Sequence, residues 1–151
     1  MDFEEVRVEE GNLLGDLRAI AMKPSLEALG RFNEHTVRSR FLDTFVPADS
    51  IKVTINGKLA GFFVLRNRDD HLYLDHLYIH PDFQNCKLGQ AVIHYVRKVA
   101  AQRQLPIRLG ALRGSPANLF YLKNNFIKVG ESDFDIYYEH PIPTLFQEPN
   151  E

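Results

Sequence analysis

The stretch LYLDHLYIHPDFQNCKLG, residues 72–89, decides how this chain is interpreted. Its first half has the apolar residues of a buried strand, Pro81 closes a turn, and the polar residues 84–89 lead directly into the helical sequence QAVIHYVRKVAAQRQ. A helix that begins right after a tight loop presents unpaired backbone N–H groups and the positive end of its dipole. Such a terminus binds phosphate groups. The stretch therefore predicts a strand followed by an anion-binding loop.

Composition places the chain among ordinary globular domains and excludes several classes of function. Its 151 residues are 44% hydrophobic and 25% charged, and the net charge of −2 gives no support to nucleic-acid binding. No apolar run reaches the roughly 18 residues that a membrane span needs, and the acidic N-terminus lacks the features of a signal peptide. The single cysteine, Cys86, cannot form an internal disulfide. We expect one domain over residues 1–140, a C-terminal tail over residues 141–151, and a cytoplasmic protein.

Hydrophobic spacing and turn residues predict the order of the elements. Pro24 is expected to break the first helix, Asn33 to cap the second, and Ser115, followed by a proline, to cap the last. Asn56-Gly57 predicts a tight hairpin. The result is a mixed α/β sheet of about seven strands, mostly antiparallel, with flanking helices. The predicted strands are residues 3–9, 51–55, 58–66, 72–80, 107–112, 126–132 and 134–140. The predicted helices are residues 12–21 with a short second piece, 33–45, 90–104 and 117–124.

Two motifs stand about 30 residues apart in this order of elements. Residues 84–89 read Gln-Asn-Cys-Lys-Leu-Gly after the fourth strand, and residues 115–126 read SPANLFYLKNNF after the fifth. They resemble the GNAT superfamily of acyl-CoA-dependent N-acetyltransferases, whose signatures are Gln/Arg-x-x-Gly-x-Gly/Ala and a helix with a Phe-Tyr pair ending in Gly-Phe. The resemblance covers residues 51–140. Lys87 replaces the first glycine, and Asn125 replaces the glycine before Phe126, where a left-handed residue is expected.

The resemblance implies a cosubstrate, acetyl-CoA, and a role for each motif. Backbone amides of residues 86–90 would hold the pyrophosphate with help from the Gln84 side chain, and a splayed central strand would pair with the pantetheine arm. Tyr121 matches the family tyrosine that protonates the departing coenzyme A thiolate. The cofactor contacts implied in this way are Leu77, Tyr78, Ile79, Gln84, Asn85, Cys86, Lys87, Leu88, Gly89, Gln90, Asn118 and Tyr121.

The proton acceptor for the attacking amine is open between two interpretations of Asp75. Asp75 is a carboxylate within an apolar strand, where an unpaired charge would be costly. It occupies a position where several family members carry a basic residue, and it would accept the proton directly or through water, with Tyr73 as a relay. Alternatively, Asp75 is a buried carboxylate bonded to backbone amides. The histidines have no recognised zinc spacing, and no metal is predicted.

The sequence thus predicts an N-acetyltransferase that moves an acetyl group from acetyl-CoA directly to a primary amine. The alternative is a non-catalytic acyl-CoA-binding or sensing domain on the same fold. The acceptor is either a small-molecule amine or a peptide or protein amine, neither nucleic acid nor membrane is expected as a partner, and a homodimer is compatible with the sequence. The charged residues Arg31, Glu34, Arg38 and Arg40 either select the acceptor or form a solvated helix face.

Overall fold

A computed structural model describes residues 1–144 of the chain. Seven strands and four α-helices follow one another, and short 3-10 segments occur at Val8–Glu10, Pro47–Asp49 and Pro81–Cys86. The elements in chain order are β1 (Asp2–Glu5), α1 (Gly11–Ala28), α2 (Glu34–Leu42), β2 (Ser50–Ile55), β3 (Lys58–Asn67), β4 (Leu72–Ile79), α3 (Leu88–Arg103), β5 (Ile107–Leu112), α4 (Ala117–Lys123), β6 (Ile127–Glu131) and β7 (Asp135–His140).

The strands are hydrogen-bonded in the order β1-β2-β3-β4-β5-β7-β6. The pairs β1–β2, β2–β3, β5–β7 and β6–β7 are antiparallel, and β4–β5 is parallel. The parallel ladder contains two residue pairs, Leu72 with Ile107 and Tyr73 with Arg108. This short ladder fits the expected splayed central strand pair. The predicted fold class, a mostly antiparallel mixed sheet with flanking helices, is confirmed.

The described chain forms two compact units, each with its own core. The first comprises Met1–Val64 and His76–Gly89. Within it Leu14 and Leu17 of α1 and Phe41 of α2 pack against Phe62 and Val64 of β3. The rings of Phe41 and Phe62 meet edge to face with their centroids 5.2 Å apart, a favoured geometry for aromatic pairs.

Local sequence signals in the first unit produce the predicted turns. Asn33 precedes α2, and its side-chain oxygen accepts the backbone N–H of Thr36 at 2.9 Å. Asn56 and Gly57 both have positive φ angles, 52° and 78°, as a type I′ hairpin requires. Both features were predicted from the sequence, and both are confirmed.

Among the described residues, the second unit contains Leu65–Asp75 and residues 90–144. Alternate residues of β7 point to opposite faces of the sheet. Ile136, Tyr138 and His140 are buried on one face, where Tyr138 meets the ring of Tyr121 and Arg97 of α3 donates to His140 Nε2 at 3.2 Å. On the other face of the same strand, Tyr137 is 37% exposed.

The prediction that Pro24 breaks the first helix is wrong, because α1 runs unbroken from Gly11 to Ala28 with Pro24 inside it. Proline cannot donate to the carbonyl of Ile20, which costs about 3 kcal/mol in a helix interior. Leu17 before the proline and Leu26 after it are both buried, and this packing holds the helix continuous.

Two predicted boundaries also change. The last helix begins at Ala117 with Pro116 as its N-cap residue, and Ser115 Oγ contacts the Asn118 side-chain amide at 3.3 Å instead of capping a backbone N–H. Strand β1 ends at Glu5 because the 3-10 segment Val8–Glu10 follows. Of the predicted tail, residues 145–151 lie outside the described part of the chain.

Candidate active site

The loop before α3 has the conformation that an anion site needs. His80 begins it as the N-cap of the 3-10 segment Pro81–Cys86, and its Nδ1 accepts the backbone N–H of Asp82 at 3.1 Å. Lys87 then turns the chain with φ 59° and ψ 29°, and α3 begins at Leu88. The first N–H groups of a helix have no intrahelical acceptor, so this turn leaves them available to an anion.

Lys87 occupies a backbone conformation that glycine adopts most easily. A left-handed φ costs a residue with a Cβ atom about 1–2 kcal/mol. The chain nevertheless makes the turn, and the Lys87 side chain is exposed. Lys87 at the position of the family glycine is therefore compatible with the left-handed turn and adds a positive charge beside the loop.

The end of β4, where the pantetheine contacts are predicted, is closely packed against β3. A Cβ atom on Gly61 would lie 2.5 Å from the carbonyl oxygen of Tyr78 and 2.9 Å from Cδ1 of Ile79, so only glycine fits there. The backbone N–H of His80 donates to the carbonyl of Ala60 at 2.7 Å. These contacts hold the backbone of β4 in place up to the start of the loop.

The Tyr78 side chain belongs to a polar network that the sequence did not indicate. Arg18 of α1 donates from Nε to the Tyr78 hydroxyl at 3.0 Å and also contacts the carbonyl of Val37. His76 Nδ1 lies 2.9 Å from the same hydroxyl, and the His76 ring packs against Phe41. Because the guanidinium can only donate, the hydroxyl is the acceptor of the bond from Arg18. Arg18 could have been suspected only from its spacing in α1, four residues after the buried Leu14.

The polar residues 84–86 of the loop are exposed. Gln84 Nε2 makes a long contact, 3.5 Å, with the carbonyl of Ile79. Asn85 and Cys86 are exposed, whereas Leu88 is buried and anchors the start of α3. The predicted roles of these residues in cofactor binding stay predictions.

Tyr121 lies near the end of α4, where a Schellman motif fixes its position. Asn125 has φ 69°, the left-handed conformation expected at this position. The N–H of Phe126 donates to the carbonyl of Tyr121 at 3.1 Å, and the N–H of Asn125 to that of Leu122 at 3.3 Å. The rings of Tyr121 and Phe126 also meet edge to face at 5.4 Å, so that Tyr121, 7% exposed, is held by both backbone and packing.

Two predicted cofactor contacts use their side chains within the second unit. Asn118 Nδ2 donates to the carbonyl of Leu112 at 2.9 Å, and its Oδ1 accepts the hydroxyl of Tyr138 at 2.9 Å. Gln90 Nε2 donates to Asn124 Oδ1, also at 2.9 Å. These bonds tie the helix ends to the sheet and to each other. A cofactor contact of Gln90 would therefore come from its backbone, as the sequence predicted.

Asp75 is paired with an arginine. Its Oδ2 accepts from Nε and from the terminal NH2 group of Arg66 at 3.2 Å and 3.1 Å, and the Arg66 side chain is only 6% exposed against 28% for Asp75. A buried guanidinium requires such a partner. The pairing favours a structural role for Asp75 over its role as a proton acceptor. Sequence reasoning missed Arg66, although the register of a meander brings β3 and β4 side by side.

Tyr73, the predicted relay, has a perturbed phenol. Burial raises the pKa of Tyr73, and the nearby carboxylate of Asp75, the phenol of Tyr137 and the carboxylate of Asp135 raise it further, whereas Arg68 opposes the rise. Tyr73 is therefore protonated at neutral pH and acts as a neutral hydrogen-bond donor or acceptor.

Two of the four charged residues that could select the acceptor, Glu34 and Arg38, form an ion pair with each other. Arg38 of α2 reaches Asp16 of α1 with Nε 2.9 Å from Oδ1, and it reaches Glu34 at 3.3 Å. A cavity of about 330 Å³ lies beside this ion pair, between α1 and α2, and Lys23 and Phe32 also line it. The carboxylates are about half exposed, so the pair contributes little to stability.

Residues 1–144 contain neither a metal-binding cluster nor a membrane-spanning helix. No group of three or more His, Cys, Asp or Glu side chains in that range is arranged to hold a metal ion. Within the same range, every helix is too short or too polar to cross a membrane.

Comparison with known proteins assigns the family. The Acetyltransferase (GNAT) domain family matches residues 47–128, more than half of the chain. No curated protein sequence matches. The chain therefore belongs to the GNAT acetyltransferase family, an acyl-CoA-dependent class whose cosubstrate is acetyl-CoA. The resemblance read from residues 84–89 and 115–126 is confirmed.

Solved structures of the same fold agree with this assignment. A PaiA N-acetyltransferase from Thermoplasma acidophilum in complex with coenzyme A is 17% identical with a TM-score of 0.76, covering 93% of this chain and 98% of that one. YjaB from Escherichia coli, in its apo form, is 17% identical with a TM-score of 0.74, covering 92% and 96%. The ribosomal-protein-S18-alanine N-acetyltransferase from Escherichia coli is 17% identical with a TM-score of 0.68, covering 99% of both chains. At this identity the likeness concerns the fold.

Proposed function

We propose that this protein transfers an acetyl group from acetyl-CoA directly to a primary amine. The observation that carries the proposal is the turn at Lys87, whose left-handed backbone leads straight into the N-terminus of α3. This turn occupies the position of the family's phosphate-binding signature. Membership in the family supports the same activity.

The loop residues bind the anionic end of the cosubstrate. Backbone N–H groups from Cys86 to Gln90 donate to the pyrophosphate, and the positive end of the α3 dipole adds to the attraction. The Lys87 side chain, at the position of the family's first glycine, adds an ammonium group that can pair with the phosphates. The backbone of residues 77–79, held by Gly61, offers its remaining hydrogen-bonding groups to the pantetheine arm.

Tyr121 supplies the proton that the departing thiolate takes up. In the transfer a C–N bond forms and the C–S bond of the thioester breaks. The amine gives up a proton to water, the thiolate takes one from the Tyr121 phenol, and water returns a proton to the phenolate. A phenol with an ordinary pKa near 10 is matched to a thiolate of similar basicity. The Schellman motif and the ring of Phe126 fix the orientation of Tyr121. Asp75 does not have to act in this step, and we assign it to the ion pair with Arg66.

A transfer assay tests the proposal. Purified protein is incubated with acetyl-CoA and a panel of small primary amines and peptides, and both free thiol and the acetylated amine are measured. We expect thiol release that depends on the amine, in equal amount with acetylated product. Thiol release that is the same with and without every amine would instead support the non-catalytic acyl-CoA-binding alternative.

A further inference from the structure

The outer face of the second unit carries two tyrosines on either side of a glycine. Tyr137 of β7 is opposite Gly110 of β5 and opposite Gly130 of β6. A Cβ atom on Gly110 would lie 3.2 Å from two ring carbons of Tyr137 and 3.8 Å from the hydroxyl of Tyr73. Because Gly110 has no side chain, the sheet surface at this point is a shallow depression with one phenol on each side.

The turn between β6 and β7 fixes this arrangement and places a carboxylate beside it. The Tyr137 hydroxyl donates to Ser132 Oγ at 3.2 Å, and Ser132 Oγ also accepts the backbone N–H of Asp135 at 3.2 Å. Asp135 is two residues before Tyr137 on β7, so the two side chains share a face. Asp135 is half-buried at this position.

Two polar groups on this face have no protein partner among residues 1–144. The Asp135 carboxylate forms no ion pair and no hydrogen bond there, and the Tyr73 hydroxyl forms no hydrogen bond. The other carboxylate near Tyr73 is different, because Arg66 neutralises Asp75. An unpaired carboxylate beside two phenol rings is a combination that recognises an organic cation.

We propose that the surface formed by Tyr73, Gly110, Tyr137 and Asp135 binds the acceptor, and that the acceptor is a small aliphatic diamine. This inference rests on the proposed function. The reacting nitrogen must be neutral to attack the thioester, so a site that favours a cation would oppose the reaction if it held that nitrogen. Asp135 therefore binds a second, positively charged nitrogen, and the methylene groups lie along Gly110 between the two rings.

Steady-state kinetics of acetyl transfer, with diaminobutane and n-butylamine as acceptors, tests the inference. The two amines share the carbon chain, but the single nitrogen of n-butylamine must be neutral to react and so cannot pair with Asp135 at the same time. We expect kcat/KM to be about tenfold higher for diaminobutane, the range of a charge-assisted hydrogen bond at a partly exposed site. Asp135→Asn should remove the difference. Asp133→Asn changes the same charge two residues away, on an exposed residue, and should retain it.

A second pair of variants tests the geometry. Gly110→Ala places a methyl group 3.2 Å from the Tyr137 ring and should weaken diaminobutane binding. Gly130→Ala places one at 3.8 Å, an ordinary contact, and should not. Equal kcat/KM for the two amines with the wild-type protein, or an Asp135→Asn variant that still prefers the diamine, would overturn the inference. Transfer to neither amine, while another primary amine is acetylated, would also overturn it. Failure to acetylate any amine, or to bind coenzyme A, would instead reject the proposed function.

Discussion

Tyr121→Phe should lower the turnover of acetyl transfer by about 10²–10⁴-fold, the usual contribution of a positioned proton donor. The substitution removes one oxygen and keeps the ring, so the contacts with Phe126 and Tyr138 remain. Coenzyme A affinity should therefore stay near the wild-type value. Steady-state kinetics on a confirmed acceptor, with calorimetry on the same preparation, measures both quantities.

Tyr138→Phe is the matched control. Tyr138 is a second buried tyrosine of the same unit, and its hydroxyl donates to Asn118 Oδ1 at 2.9 Å. Losing this hydrogen bond should cost about 1 kcal/mol of unfolding free energy and little activity. If Tyr121→Phe retains full turnover, Tyr121 is a packing residue, and another group or water protonates the thiolate.

Asp75→Asn should destabilise the protein without abolishing its activity. It removes the Asp75 carboxylate that pairs with the buried guanidinium of Arg66. Removing one partner of a fully buried pair costs roughly 3–5 kcal/mol, and the partial exposure of Asp75 reduces the expected loss to about 2 kcal/mol. Chemical denaturation measures the change, and kcat per folded molecule should remain close to wild type.

The same variant distinguishes the two interpretations of Asp75. If Asp75 is the proton acceptor, kcat/KM of the wild type rises with pH through one ionisation, and Asp75→Asn loses this rise at nearly unchanged stability. Asp69→Asn removes a carboxylate from an exposed position in the turn before β4 and should change neither quantity. A large loss of kcat/KM with an unchanged unfolding free energy would contradict the structural role.

The structural features that the sequence predicts correctly depend on contacts between residues that are close together in the chain. Asn33 caps α2, and Asn56-Gly57 forms the turn of the β2–β3 hairpin. Both features involve residues within four positions of one another, and both were evident from the sequence. The left-handed Asn125 and the loop at residues 84–89 are local in the same way. These features underlie the proposed cosubstrate site, because that recognition would use mainly backbone groups of one loop.

The features that escaped prediction depend on packing between distant residues. Pro24 stays within α1 because Leu17 and Leu26 are both buried, which the helical pattern alone does not reveal. The pairing of Asp75 with Arg66, and the lack of a partner for Asp135 among residues 1–144, depend on which strands are neighbours. Since β7 lies between β5 and β6, the chain order does not show that Tyr137 faces Gly110.

The most direct measurement is a calorimetric titration of the wild-type protein with coenzyme A. The loop at Lys87 and the N-terminus of α3 predict saturable binding at one site, and ligand at 100 times its Kd should add about 2.7 kcal/mol to the unfolding free energy. Gly89→Trp, with a large side chain in the first turn of α3, should abolish the binding while the protein stays folded. Absence of any heat of binding at millimolar coenzyme A, from wild-type protein that is folded, would contradict the account.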